Sequence, residues 1–97
     1  MIHVKESDDY LEWLHSLTKK EQAKVKARIS RIENDEYFGT VRNLGEGLAE
    51  LKWTNGWRVY FINIGYKKIL LINGGHKNEQ EKDIKKARIY IRRITAH

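Results

Sequence analysis

The sequence predicts an α+β fold: a small antiparallel sheet flanked by an N-terminal helical hairpin and a C-terminal helix. Apolar residues recur at helical spacing from Tyr10 to Ile32, change to alternation from Thr40 to Asn73, and return to helical spacing after Asn78. Gly45, Gly47, Asn55-Gly56 and Gly65 fall between the alternating runs, where hairpins turn. With 97 residues, no proline, no repeat and no low-complexity tract, the span 1–97 reads as one domain with one core.

The elements follow in order. "MIHVKE" is a short strand in which Ile2 and Val4 alternate with His3 and Lys5. Ser7 is placed to cap a first helix, with Asp8 and Asp9 at its positive end and Tyr10, Trp13, Leu14 and Leu17 as its stripe. "TKKE" is a capping box from Thr18 to Glu21 that opens a second helix, whose buried line is Val25, Ile29 and Ile32. Lys20, Lys24, Arg28 and Arg31 form a basic band roughly 100° from that line. It reads either as a solvated flank or as a contact for nucleic acid. Strands are expected at "TVRNL", "LAELKWT", "WRVYFINI" and "KKILLIN", pairing as an antiparallel meander with the last one interior. In the final helix Ile84, Ala87, Ile91 and Ile94 make one stripe, with Lys82, Lys85, Lys86, Arg92 and Arg93 opposite.

Composition narrows the function. There is no cysteine, so disulfides and cysteine-ligated zinc are excluded, and a reducing, cytoplasmic setting is expected. No stretch reads as a signal peptide or membrane span, and no metal or other cofactor is expected. Lysine and arginine number 19 against 13 acidic residues, a formal +6, which favours a polyanionic partner.

The register of "LKWTNGWRVYF" decides the candidate site. A two-residue Asn55-Gly56 turn would mix cations and apolar groups on both faces. A three-residue loop, Thr54-Asn55-Gly56, instead pairs Trp53 with Trp57, Leu51 with Val59 and Ala49 with Phe61, and sorts Glu50, Tyr60, Lys52 and Arg58 onto the other face. Lys52 then opposes Arg58 outside the core. Directly opposed cations destabilise a strand pair by up to about 1 kcal/mol, so either an anion belongs between them or Glu50 neutralises them. Gly74, Gly75, His76 and Lys77 arrive beside Arg58, as a ligand-approaching glycine pair with a histidine, a residue type that titrates near neutral pH, and a third cation, or as an ordinary strand-to-helix turn.

"ELKWTNGWRVYF" followed by "ILLINGGHKNEQEKDIKKA" resembles the RelE/ParE superfamily of toxins from bacterial toxin-antitoxin modules, with the HigB-like branch the nearest in look. The matching positions are Glu50-Leu51-Lys52, Trp57-Arg58-Val59-Tyr60-Phe61, Gly74-Gly75-His76-Lys77, and Asp83-Ile84 with Ala87. Lys52 stands where arginine is usual, Trp57 where tyrosine is, and His76 where aspartate is common.

The resemblance implies either mRNA cleavage on the translating ribosome or poisoning of DNA gyrase; a non-catalytic nucleic-acid-binding module is the third possibility. For cleavage, Arg58 holds the scissile phosphate, Lys77 assists, Lys52 is a second clamp or the base, His76 is the acid, and Tyr60 stacks on a base. Arg58 is expected to touch phosphate rather than core. The implied partners are the ribosome and mRNA and a cognate antitoxin, a small helix-turn-helix DNA-binding protein, in a hetero-oligomer or beside a homodimer. Ile89 and Tyr90, off the last helix's stripe, are expected to contact the antitoxin or a second copy. His3, His15 and His97 read as surface histidines.

Overall fold

The computed structural model describes residues 1–95. His97 therefore lies outside the described residues, while His3 and His15 are exposed as expected. Strand β1 spans His3–Glu6 and is followed by helix α1, Asp8–Ser16. The Ser7 hydroxyl accepts the Tyr10 N–H at 3.1 Å, which starts α1 one residue after the strand. Leu17 ends α1 in an extended conformation, and both halves of the Thr18–Glu21 capping box open helix α2, Lys19–Asp35. Glu36, at φ 55°, terminates α2. Its carboxylate holds the N-terminal ammonium at 2.9 Å and Lys67 at 3.0 Å, tying helix end, chain start and a sheet turn together.

Strands β2 (Val41–Gly45), β3 (Leu48–Lys52), β4 (Trp57–Gly65) and β5 (Lys68–His76) form the expected antiparallel meander, and helix α3 spans Gln80–Thr95. The five-stranded sheet has the order β1-β5-β4-β3-β2. β1 joins it in parallel, from His3 opposite Lys68 to Glu6 opposite Leu71. The sheet is thus mixed rather than wholly antiparallel, because α1 and α2 carry the chain from one edge to the other before the meander begins.

The sheet is buried on both faces. Tyr10, Leu14, Val25, Ile29 and Ile32 of the first two helices pack on Leu51, Trp57, Val59, Phe61, Ile69 and Leu71. On the other face Ala87 packs with Leu48, Tyr60, Ile62 and Ile72, flanked by Ile84, Tyr90 and Ile91. A bulge opposite Tyr60 and Phe61 lets Ile72 and Asn73 both serve this second layer. The buried line of α3 runs through Asp83 and Ala87, with Tyr90 partly covered, while Ile94 is exposed. Ile84, Ala87 and Ile91 of the expected stripe pack on the sheet, but Ile94 does not, and the pattern missed Asp83 because it carries a charge that the fold nonetheless buries.

Candidate functional site

The turn between β3 and β4 is the three-residue loop. Gly56 takes φ 105°, which a side chain rarely tolerates, and the Trp53 N–H donates to the Trp57 carbonyl at 3.0 Å. Ala49 then pairs with Phe61, Glu50 with Tyr60, Leu51 with Val59 and Lys52 with Arg58, the register the hydrophobic sorting requires. Trp53 and Trp57 meet edge-on at 6.4 Å on the first-layer face.

Arg58 is held in place. Its Nη1 donates to the carbonyls of Trp57 at 2.8 Å and Trp53 at 3.2 Å, and its Nε lies 3.9 Å from Glu50 Oε1. Glu50 is fully buried and its second oxygen accepts from Gln80 Nε2 at 2.8 Å. The carboxylate two residues along thus offsets the Lys52–Arg58 repulsion. Arg58 Nη2 and the Lys52 ammonium make no hydrogen bond or ion pair among the described residues. The face is not open sheet, however: α3 covers it, and the Arg58 side chain is only 11% exposed.

Three expectations need correction. Tyr60, read as a stacking platform, is completely buried, and desolvation, with the Glu50 and Asp83 charges behind it, pushes its hydroxyl pKa well up. No base can reach it. Gly74 and Gly75 admit not a ligand but the protein itself: a Cβ on Gly74 would meet the Trp13 indole at 2.3 Å, and one on Gly75 would meet Asp83 Oδ2 at 1.9 Å. Arg28, read as part of a free basic band, donates to the carbonyls of Phe38 (2.9 and 3.1 Å), Thr40 (2.7 Å) and Lys52, and stacks 4.3 Å over Trp53. It pins α2 to the hairpin instead of facing solvent.

His76 also differs from the simple picture. β5 runs through it, opposing His76 to Trp57 and Gly75 to Arg58, so strand alternation turns His76 and Arg58 to opposite faces. The His76 ring lies against Gly56, and its Nδ1 accepts the Asn78 N–H at 3.4 Å. The Lys77 N–H donates to the Gly56 carbonyl at 2.7 Å, and its side chain is exposed beyond the strand end. Lys20 and Lys24 are exposed, while Arg31 stacks 4.5 Å over Tyr37. The arrangement thus unites Lys52 with Arg58, brings Lys77 to the same end of the sheet, and leaves His76 on the far face. The supporting residue Gln80 was missed, and Asp83 was marked only as a position matching the family motif, with no role; the signal for their packing was their helical phase with Ala87.

No family model matches the chain. An uncharacterized protein of Haemophilus influenzae is 34% identical over 91 residues, covering 91% of each chain. The chain belongs to that protein's family. Among solved structures, the isolated E. coli RelE toxin matches with a TM-score of 0.65 at 12% identity, over 89% of this chain and 98% of that one. The RelE fold is the fold of this chain. The RelB–RelE antitoxin–toxin complex from Methanococcus jannaschii gives a TM-score of 0.65 at 8% identity, over 80% of this chain and 95% of that one. The intact E. coli RelBE complex gives 0.60 at 14%, over 78% and 96%. In this RelE fold α2, the β3–β4 turn and the start of α3 meet at one sheet end, through Arg28, Gly56 and Gln80 respectively.

Proposed function

We propose that the chain is the toxin of a type II toxin-antitoxin module, of the HigB-like branch, and that it cleaves mRNA on the translating ribosome without a metal ion. The observation that carries this reading is the cation pair at the sheet end. Arg58 is oriented by two carbonyls and Glu50, Lys52 opposes it, and neither Arg58 Nη2 nor the Lys52 ammonium has a partner among the described residues. Such a pair suits a phosphate gaining charge in a transition state.

In the reaction the 2′-oxygen attacks phosphorus, the P–O5′ bond breaks, one proton leaves the 2′-hydroxyl and one is delivered to the 5′-oxygen. Arg58 clamps the phosphate and Lys52 is the second clamp or takes the 2′ proton. The donor to the 5′-oxygen comes from the strand end, His76 or Lys77. Replacing His76 by alanine slows cleavage and changes its pH profile if the imidazole is the donor, and leaves the profile unaltered if Lys77 is. Lys20 and Lys24 extend the basic surface toward RNA. The implied partner is an antitoxin, which the named RelB–RelE complexes support; its helix-turn-helix type is what the motif resemblance implies, and the setting is the cytoplasm, where ribosomes are.

The test is primer extension on translating ribosomes beside a gyrase supercoiling assay. Cuts within ribosome-bound message with supercoiling unaffected are expected. An intact message with supercoiling inhibited would move the protein to the gyrase-directed class.

A further inference from the structure

A cleft of about 520 Å³ lies away from the cation pair, between α1 and α3. It follows the outer edge of β5 past the point where β1 stops, opposite Leu71. The Trp53–Trp57 hydrogen bond fixes which way backbone groups point: those of Trp57 face β3, those of Arg58 face β5 and its partner Gly75. The N–H and C=O of Gly74 and His76 therefore face outward along that edge, with no strand of the described residues beside them. Asn73 and Asp83, 6% and 8% exposed, also line the cleft; their Oδ1 and Oδ2 atoms are themselves buried and have no hydrogen-bond partner among the described residues.

The two walls differ in sign. α1 contributes Asp9 and Glu12, α3 contributes Lys86 and Arg93, and Trp13, Ile89 and Tyr90 supply apolar surface. With Asp83 the cleft holds three acidic residues against two basic ones, which disfavours a polyanion although the chain as a whole is +6. Because α1 and α3 cover opposite faces of the sheet, a strand added at this edge would direct alternate side chains to the acidic and the basic wall in turn.

We infer that this cleft is a docking site for an extended segment of a partner protein, which adds to β5 beside Gly74 and His76 with basic residues toward α1 and acidic residues toward α3. It is independent of the nuclease reading and gives Ile89 and Tyr90 a protein-binding role in a defined place.

A library of random short peptides displayed on phage and selected on the full chain tests it, with selected peptides then synthesised and titrated into isotope-labelled protein. The expected sequences alternate basic and acidic residues, and their binding shifts the Gly74 and His76 amides and slows their hydrogen exchange. Glu12 is exposed, so Glu12→Lys keeps the fold; it is expected to weaken these peptides about tenfold, with an acidic residue at the facing peptide position restoring affinity. Selection of no peptide, of peptides without alternation, or of peptides that shift the β2 edge instead would overturn the inference. So would perturbation of the Gly74 amide by an oligoribonucleotide, which would assign the cleft to RNA.

Discussion

Arg58 and Glu50 are interdependent. Sequence reading placed Arg58 against phosphate alone, so its removal was expected to spare the fold; the buried Glu50 beside it alters that expectation. Arg58→Ala leaves a buried carboxylate with Gln80 and the Tyr60 hydroxyl as neighbouring donors and no facing cation, at a cost of about 1–3 kcal/mol in denaturant unfolding. Glu50→Gln combined with Arg58→Gln removes the unpaired charge, and is expected to recover most of that stability while remaining inactive. Asp83 gives a pH test. Burial raises its pKa above the unfolded value, against the lowering influence of Lys86. The folded state then holds the proton more tightly, so this group favours folding at low pH and loses that contribution as pH rises from the ordinary aspartate range through the folded pKa. Asp83→Asn is accordingly expected to melt higher than the parent at neutral pH, with the difference closing below the ordinary aspartate range. A parent that melts higher at neutral pH would show that the carboxylate has a partner in solution.

Among the elements, local signals were the most legible in sequence. Ser7, the Thr18–Glu21 box and the Thr54-Asn55-Gly56 loop act through neighbours a few residues away, and each sits where the pattern put it. What long-range packing decides was not legible: β5 continues through Gly74 and Gly75 because Trp13 and Asp83 fill the space above them, and no local pattern announces either partner. The basic band of α2 divides for the same reason. Arg28→Ala removes charged donors from the Phe38, Thr40 and Lys52 carbonyls and is expected to cost about 2 kcal/mol of stability. Lys24→Ala, one turn away and exposed, is expected to leave melting unchanged and to weaken ribosome binding modestly, with a shallower salt dependence. Equal melting losses in the two variants would contradict this division.

At the scale of the whole molecule, the alternation of Glu50, Lys52, Arg58 and Tyr60 revealed a second sheet face but not what covers it. That face is polar toward the turn and apolar further along, and α3 closes over both parts. The candidate site therefore lies at one end of a two-sided core, with Lys52 half-buried and Arg58 nearly enclosed. Lys52→Ala probes it most cleanly, since the Lys52 side chain has no partner among the described residues and only its carbonyl meets Arg28. The decisive measurement is the single-turnover rate of message cleavage on programmed ribosomes, parent against Lys52→Ala, with the variant's fold checked by its melting curve. The parent is expected to cut and the folded variant to be slower on the order of a hundredfold, the loss of one charge-stabilising group. A folded Lys52→Ala protein that cuts as fast as the parent, or a parent that does not cut at all, would contradict a nuclease site at this end of the sheet.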